Sequence, residues 1–256
     1  MQVVNYGGTF EGLLTVIFEI YEYKIAHPNI CREDKANSSL FSPSRTVITD
    51  PIKASLVLIK LKDKLTANAM RQFYHTFLSE IRGIENHLFR FAEYVIKSHG
   101  PVESNYSHPD VLMVQQTSRK VYREKHRMEA FVRFQLTKDN LYYSIIQPDY
   151  NVLPLVLKHF QSRYADEQWL IYDTQRKYGI FYDLKNVREV DLHFSVDTKS
   201  QGELLMIHDS GEELYQRLWQ QYFSSVNIPA RKNMKLHISH MPKRYWKNLT
   251  EKRPRF

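Results

Sequence analysis

The apolar pattern of this sequence changes period at Glu129, and that change limits the folds open to it. Upstream, apolar side chains recur at helical intervals. Leu13, Leu14, Ile17, Phe18, Ile20 and Tyr21 share one broad face of a helix that Thr9 would cap and that runs to about Ile25. Asp50-Pro51, an N-cap followed by proline at the first helical position, opens a series of helical patterns reaching about Lys97, where Ser98-His99-Gly100-Pro101 stops them. His108-Pro109-Asp110 opens one more. Downstream, residues 130–136 and 141–147 are β-rich runs around the turn Thr137-Lys138-Asp139-Asn140. Helical spacing returns over 152–164, with Pro154 in its first turn, and 169–173, 178–184 and 187–192 read as strands. Strand, strand, helix, strand, strand predicts an α+β fold. The expected parts are a helical N-terminal half, a mainly antiparallel sheet around residues 129–192, and a helical, basic C-terminus with helices near 202–206 and 212–223. Residues 3–6 read as a short strand, and 27–44, rich in Pro, Asn and Ser, as a loop. No Gly-, Ser- or Pro-rich linker parts the halves, so residues 1–256 are read as a single compact domain.

Hydrophobic residues at 43% and aromatics at 13% exclude a disordered chain. Apolar runs such as Leu56-Val57-Leu58-Ile59 fall far short of the roughly 18 residues a membrane span requires, so no membrane association is expected. No charged and then apolar leader opens the sequence, and a single cysteine, Cys31, rules out an intrachain disulfide; both fit a cytoplasmic protein. The net charge is +8 and it is concentrated. Residues 230–256 hold nine basic side chains against Glu251, whereas the rest of the chain balances at 27 of each sign. A second cluster, residues 119–127, holds five basic side chains against Glu124. Such concentration points to a polyanionic partner.

On a helix Arg119, Arg123 and Arg127 form one stripe along which phosphates could lie, with Lys120 and Glu124 spaced to pair. Glu124 and His126, two apart, cannot face each other unless the helix has ended. The C-terminal stretch interleaves Arg231, Lys232, Lys235, Lys243, Arg244 and Lys247 with Tyr245 and Trp246; cations give salt-dependent phosphate affinity, and an aromatic face can stack an unpaired base. The rings could equally anchor a terminal helix to the core. His237 and His240 resemble half of a zinc site with nothing nearby to complete it, so no metal or other cofactor is expected. The Gly7-Gly8 segment matches no phosphate-binding fingerprint and reads as a structural turn.

Several segments taken together resemble one family. Tyr6-Gly7-Gly8-Thr9-Phe10-Glu11-Gly12-Leu13-Leu14, Thr49-Asp50-Pro51-Ile52-Lys53-Ala54, Glu124-Lys125-His126-Arg127-Met128-Glu129-Ala130-Phe131-Val132-Arg133-Phe134, Pro148-Asp149-Tyr150-Asn151-Val152-Leu153-Pro154, Trp169-Leu170-Ile171-Tyr172-Asp173-Thr174-Gln175-Arg176 and Met241-Pro242-Lys243-Arg244-Tyr245-Trp246-Lys247 are similar to the probable DNA metabolism protein family, in the same order along the chain. That family is an uncharacterised bacterial domain, found alone beside a radical-SAM protein or fused to uracil-DNA-glycosylase-like domains. The resemblance implies DNA repair or modification with a radical-SAM partner, and no particular reaction. The leading expectation is a DNA-binding accessory protein in which Arg119, Arg123, Arg127, Arg133 and the C-terminal cations contact DNA. An enzyme acting on damaged DNA or nucleotides, with Glu124, His126, Asp149 and Asp173 as candidate acid/base groups, and an interaction scaffold are the alternatives.

Overall fold

A computed structural model describes residues 2–33, 44–191, 218 and 234–252. Two compact units divide the chain, residues 1–123 and 124–256.

In the first unit β1 (Gln2–Tyr6) is the central strand of a three-stranded parallel sheet. Gly8, at φ +83°, turns the chain, and its carbonyl accepts from Arg32 Nη2 at 2.7 Å. The Gly7-Gly8 segment is thus a tied-down structural turn. Thr9 Oγ1 then accepts from Gly12 N at 3.0 Å and caps α1 (Phe10–Glu22), which buries Leu13, Leu14, Val16, Ile17 and Ile20. α1 is the crossover a parallel neighbour requires, and the chain returns beside β1 as β2 (Pro28–Arg32). β3 (Ser44–Val47) pairs with the other side of β1. The stretch 27–44 is therefore not simply the loop its composition suggests. Pro28 cannot donate to a ladder, but it opens an edge strand, where proline is tolerated. Asn86 closes that edge: its Oδ1 accepts from Ile30 N at 2.9 Å and its Nδ2 donates to Ile30 O at 3.3 Å.

α2 (Pro51–Lys64) starts where the Asp50-Pro51 signal places it, with Asp50 Oδ1 accepting from Ile52 N and Lys53 N. α3 (Ala67–Phe77) and α4 (Ile84–Lys97) follow. Tyr6, Leu61, Phe73, Leu88 and Phe91 are buried together with the apolar face of α1 as the core of this unit, and Phe10 sets its ring edge-on to Phe73, Tyr74 and Phe77.

α5 (Pro109–Phe131) is longer than the sequence pattern implies. Residues 130–136 read as strand, yet the helix runs to Phe131, and β4 is only Gln135–Leu136. Met128 and Val132 are both buried and lie four apart, so burial on one helical face outweighs the β-branched and aromatic composition. β5 (Tyr142–Ile146), α6 (Leu153–Arg163), β6 (Trp169–Asp173), β7 (Tyr178–Tyr182) and β8 (Val187–Val190) complete the second sheet, in the order β4-β5-β6-β7-β8. Its neighbours are antiparallel except β5 and β6, which α6 links as a parallel pair. The α+β class and the mainly antiparallel sheet are as read from the sequence. Trp169 is fully buried at the centre of an aromatic cluster with Phe134, Phe160 and Tyr182. α7 (Met234–His240) precedes two 3-10 turns, Lys243–Asn248 and Thr250–Lys252, seated by buried Tyr245 and Leu249. Arg231, Lys232, the Lys235 side chain and, apart from Leu218, the helices expected near 202–206 and 212–223 lie outside the described residues. No helix among the described residues is long and apolar enough to cross a membrane.

Candidate functional site

The parallel pair β5 and β6 ends at Ile146 and Asp173, and polar side chains gather past those carboxyl ends, where open parallel sheets place their sites. The loop 147–151 is held from every side. Its Asp149 N–H donates to Glu124 Oε1 at 2.9 Å. Arg176 donates to Pro148 O and Asp149 O, both at 3.2 Å, while its Nη1 also meets Asp173 Oδ2 at 2.8 Å. Tyr178 donates its hydroxyl proton to Asn151 Oδ1 at 2.5 Å, and Lys247 donates to Gln147 Oε1. Asp173 Oδ1 accepts from Gln175 N at 2.8 Å, which sets the turn carrying Arg176.

Glu124, only 1% exposed at the side chain, is the centre of the arrangement. Its Oε2 accepts from Tyr245 O–H at 2.5 Å and from Arg244 Nη2 at 2.8 Å, and Arg127 Nη1 stands 3.8 Å away. The same Arg244 nitrogen reaches Asp149 Oδ2 at 2.9 Å. Burial would lower the Arg244 guanidinium, but Glu124, Tyr245 and Asp149 hold its affinity for the proton above the ordinary value. Burial, then the bond to Glu124, keeps the Tyr245 phenol protonated well beyond its usual range. Burial likewise raises Asp173, opposed by Arg176. Glu124, Asp149 and Asp173 balance Arg127, Arg176 and Arg244, which leaves Lys247 as the one cation of the cluster without an acid to match it in this count. The cluster's water-facing part is the pair of Arg244, 40% exposed, and Asp149, 49% exposed. Asp149 is the carboxylate of the network that solvent reaches, and Arg244 can take an external anion by letting go of it. Among the described residues no group of three or more His, Cys, Asp or Glu side chains is placed to hold a metal ion.

Of the candidate acid/base groups, Glu124, Asp149 and Asp173 belong to this one network, and His126 does not. α5 continues past His126, so the imidazole points away from Glu124 and lies exposed, 3.8 Å from Glu129 Oε2. Glu124, spaced to pair with Lys120, instead gives both oxygens to groups of its own unit. Of the two rings, Tyr245 is buried and unavailable for stacking; Trp246 is half-buried, donates Nε1–H to Met241 O at 3.0 Å, and carries Lys243 and Lys252 ammonium groups 5.9 and 5.0 Å from its centroid. Arg133 is tied to the buried Glu251 at 2.9 Å. Arg119, Lys120 and Arg123 are exposed, and none of them enters an ion pair with a described residue. The roles of Gln147, Asn151 and Glu251 carried no sequence signal beyond their presence in or beside the quoted segments.

Residues 82–251 match the family described as "Domain of unknown function (DUF4130)". The chain belongs to the DUF4130 family. The matched span contains every residue of the charged network and leaves out the parallel sheet of the first unit. No curated protein matches the chain. Among solved structures it is similar to one titled "pGpG-specific phosphodiesterase - PggH from Vibrio cholrae", at 11% identity and a TM-score of 0.34, over 88% of this chain and 99% of that one. Likeness at that level carries no argument about the DUF4130 chain.

Proposed function

We propose that this DUF4130 protein is a DNA-binding accessory protein of DNA repair or modification, working beside a radical-SAM enzyme. The setting comes from the resemblance of its quoted segments to the probable DNA metabolism protein family. The observation that supports DNA contact is the solvent side of α5, where Arg119, Lys120 and Arg123 stand together and form no ion pair with a described residue. Like charges three and four apart on a helix repel, by a few tenths of a kcal/mol per pair, and an anion laid along them removes that cost. The test is fluorescence anisotropy with single- and double-stranded oligonucleotides as salt is raised. Log affinity is expected to fall linearly with log salt, and replacing Arg119, Lys120 and Arg123 by Ala to flatten that slope by about 2–3. No binding at low salt, or an affinity indifferent to salt, ends the proposal.

A second reading, an enzyme acting on damaged DNA or nucleotides, is favoured by the convergence of Glu124 and Asp149 on one guanidinium beyond β5 and β6. Asp149 is the group with access to a substrate and Arg244 its anion partner. Damaged oligonucleotides incubated with and without a divalent metal ion test it: turnover lost in Asp149→Asn at unchanged circular dichroism supports the reading, and no turnover under any condition removes it.

A further inference from the structure

α2 has two apolar faces, and the described residues cover only one. Ala54, Val57 and Leu61 are buried. On the opposite side Ile52, Leu56 and Ile59 follow helical spacing of four and three, with Ile48 in the segment before the helix, and all four are more than half exposed, Ile48 at 85%. Scattered exposed aliphatics are ordinary, but a continuous ridge of this kind, on the order of a few hundred Å², marks an interaction surface.

We infer that this ridge is where two copies of the chain join, α2 packing antiparallel on its mate about a two-fold axis at Leu56. The spacing is close to self-matching: with Leu56 against Leu56 of the second copy, Ile52 of each copy comes within one residue, about 1.5 Å of helix rise, of facing Ile59 of the other, so the same ridge meets itself as an isologous contact demands. The charge order along the helix agrees. Its N-terminal end carries Asp50 with Glu19 and Glu22, which outnumber Lys53 and Arg45. Its C-terminal end carries exposed Lys60 and Lys62 against Asp63. An antiparallel pair sets the basic end of one helix beside the acidic end of the other and opposes their dipoles; a parallel pair sets like against like. The four side chains alone fall short of the roughly 800 Å² per partner of a standard stable interface, so the dimer is weak and concentration-dependent.

Sedimentation of the full chain over about two decades of concentration around 10 μM tests this, in about 0.3 M salt so that DNA-type contacts are suppressed and apolar ones are not. A monomer–dimer equilibrium is expected, weakened at least tenfold by Leu56→Asp. That side chain already faces water, and circular dichroism checks that the fold is kept. In a Cys31→Ser background, Leu56→Cys is expected to cross-link to itself on mild oxidation. Ile52→Cys and Ile59→Cys are expected to cross-link only when the two variants are mixed. A monomer throughout, a dimer that Leu56→Asp leaves intact, or a monomer that takes up an acidic amphipathic helix in place of a second copy overturns the inference. None of these readings depends on DNA, so they stand apart from the salt-slope test.

Discussion

A single buried carboxylate decides how the DUF4130 span holds together. Glu124 accepts from a backbone amide, a phenol and a guanidinium, and removing it strands the first two and leaves Arg244 only the half-exposed Asp149. Glu124→Ala is expected to cost about 3 kcal/mol, because breaking one side of a buried charge pair is far worse than losing a surface bridge; the midpoint of urea unfolding measures it. Tyr245→Phe removes one of the three donors and is expected to cost about 1–2 kcal/mol. Asp110 behaves differently because its dependence on pH can be read directly. Burial pushes its carboxyl up, but bonds from Arg90 at 2.9 Å and His87 at 2.7 Å win and hold it below 3.8. Its folded-state value lies under its unfolded one, so the stability it adds is present above pH 3.8 and fades as the pH falls through the folded value. The gap between the natural chain and Asp110→Asn is expected to be constant near neutrality and to close below pH 3.8, seen as converging unfolding midpoints.

At the level of elements, close approach is the strictest constraint. A Cβ on Gly179 of β7 would stand 2.9 Å from the Ile171 carbonyl oxygen on β6, which cannot move without disturbing the ladder. Gly179→Ala is expected to destabilise by about 1–3 kcal/mol, against about 1 kcal/mol for the lost cap in Asp50→Ala, both by chemical denaturation. Elements whose cause is local were legible in the sequence. Thr9 and Asp50 announce α1 and α2, and residues 169–173 and 178–182 sit where their β-rich runs and polar turn put them. β2 and the true end of α5 were not, since each depends on a partner distant in sequence: β1 and Asn86 for the first, buried packing of Met128 and Val132 for the second. The site divides the same way. Asp173 and Arg176, three apart, could be matched by eye, whereas Glu124 and Arg244 are 120 residues apart, and the visible four-residue spacing to Lys120 pointed elsewhere.

For the whole molecule, the position of a cation matters more than the total of +8. Arg133, and Arg244 of the C-terminal segment, are bound to buried carboxylates, and Lys247 of that segment donates to Gln147, so these cations hold the second unit together first. Arg119, Lys120 and Arg123 have no such duty in any ion pair with a described residue. Replacing Lys243, Arg244 and Lys247 by Ala is therefore expected to lower the melting temperature by several degrees, and replacing the α5 trio to leave it within about one degree; calorimetry separates the two cases. Where β2 ends its sheet, the carboxamide of Asn86 stands in for a missing strand. Because Ile30 is already satisfied there, an extended segment from another molecule cannot pair at that residue, and a side chain does at this point of the edge what a further strand would otherwise do.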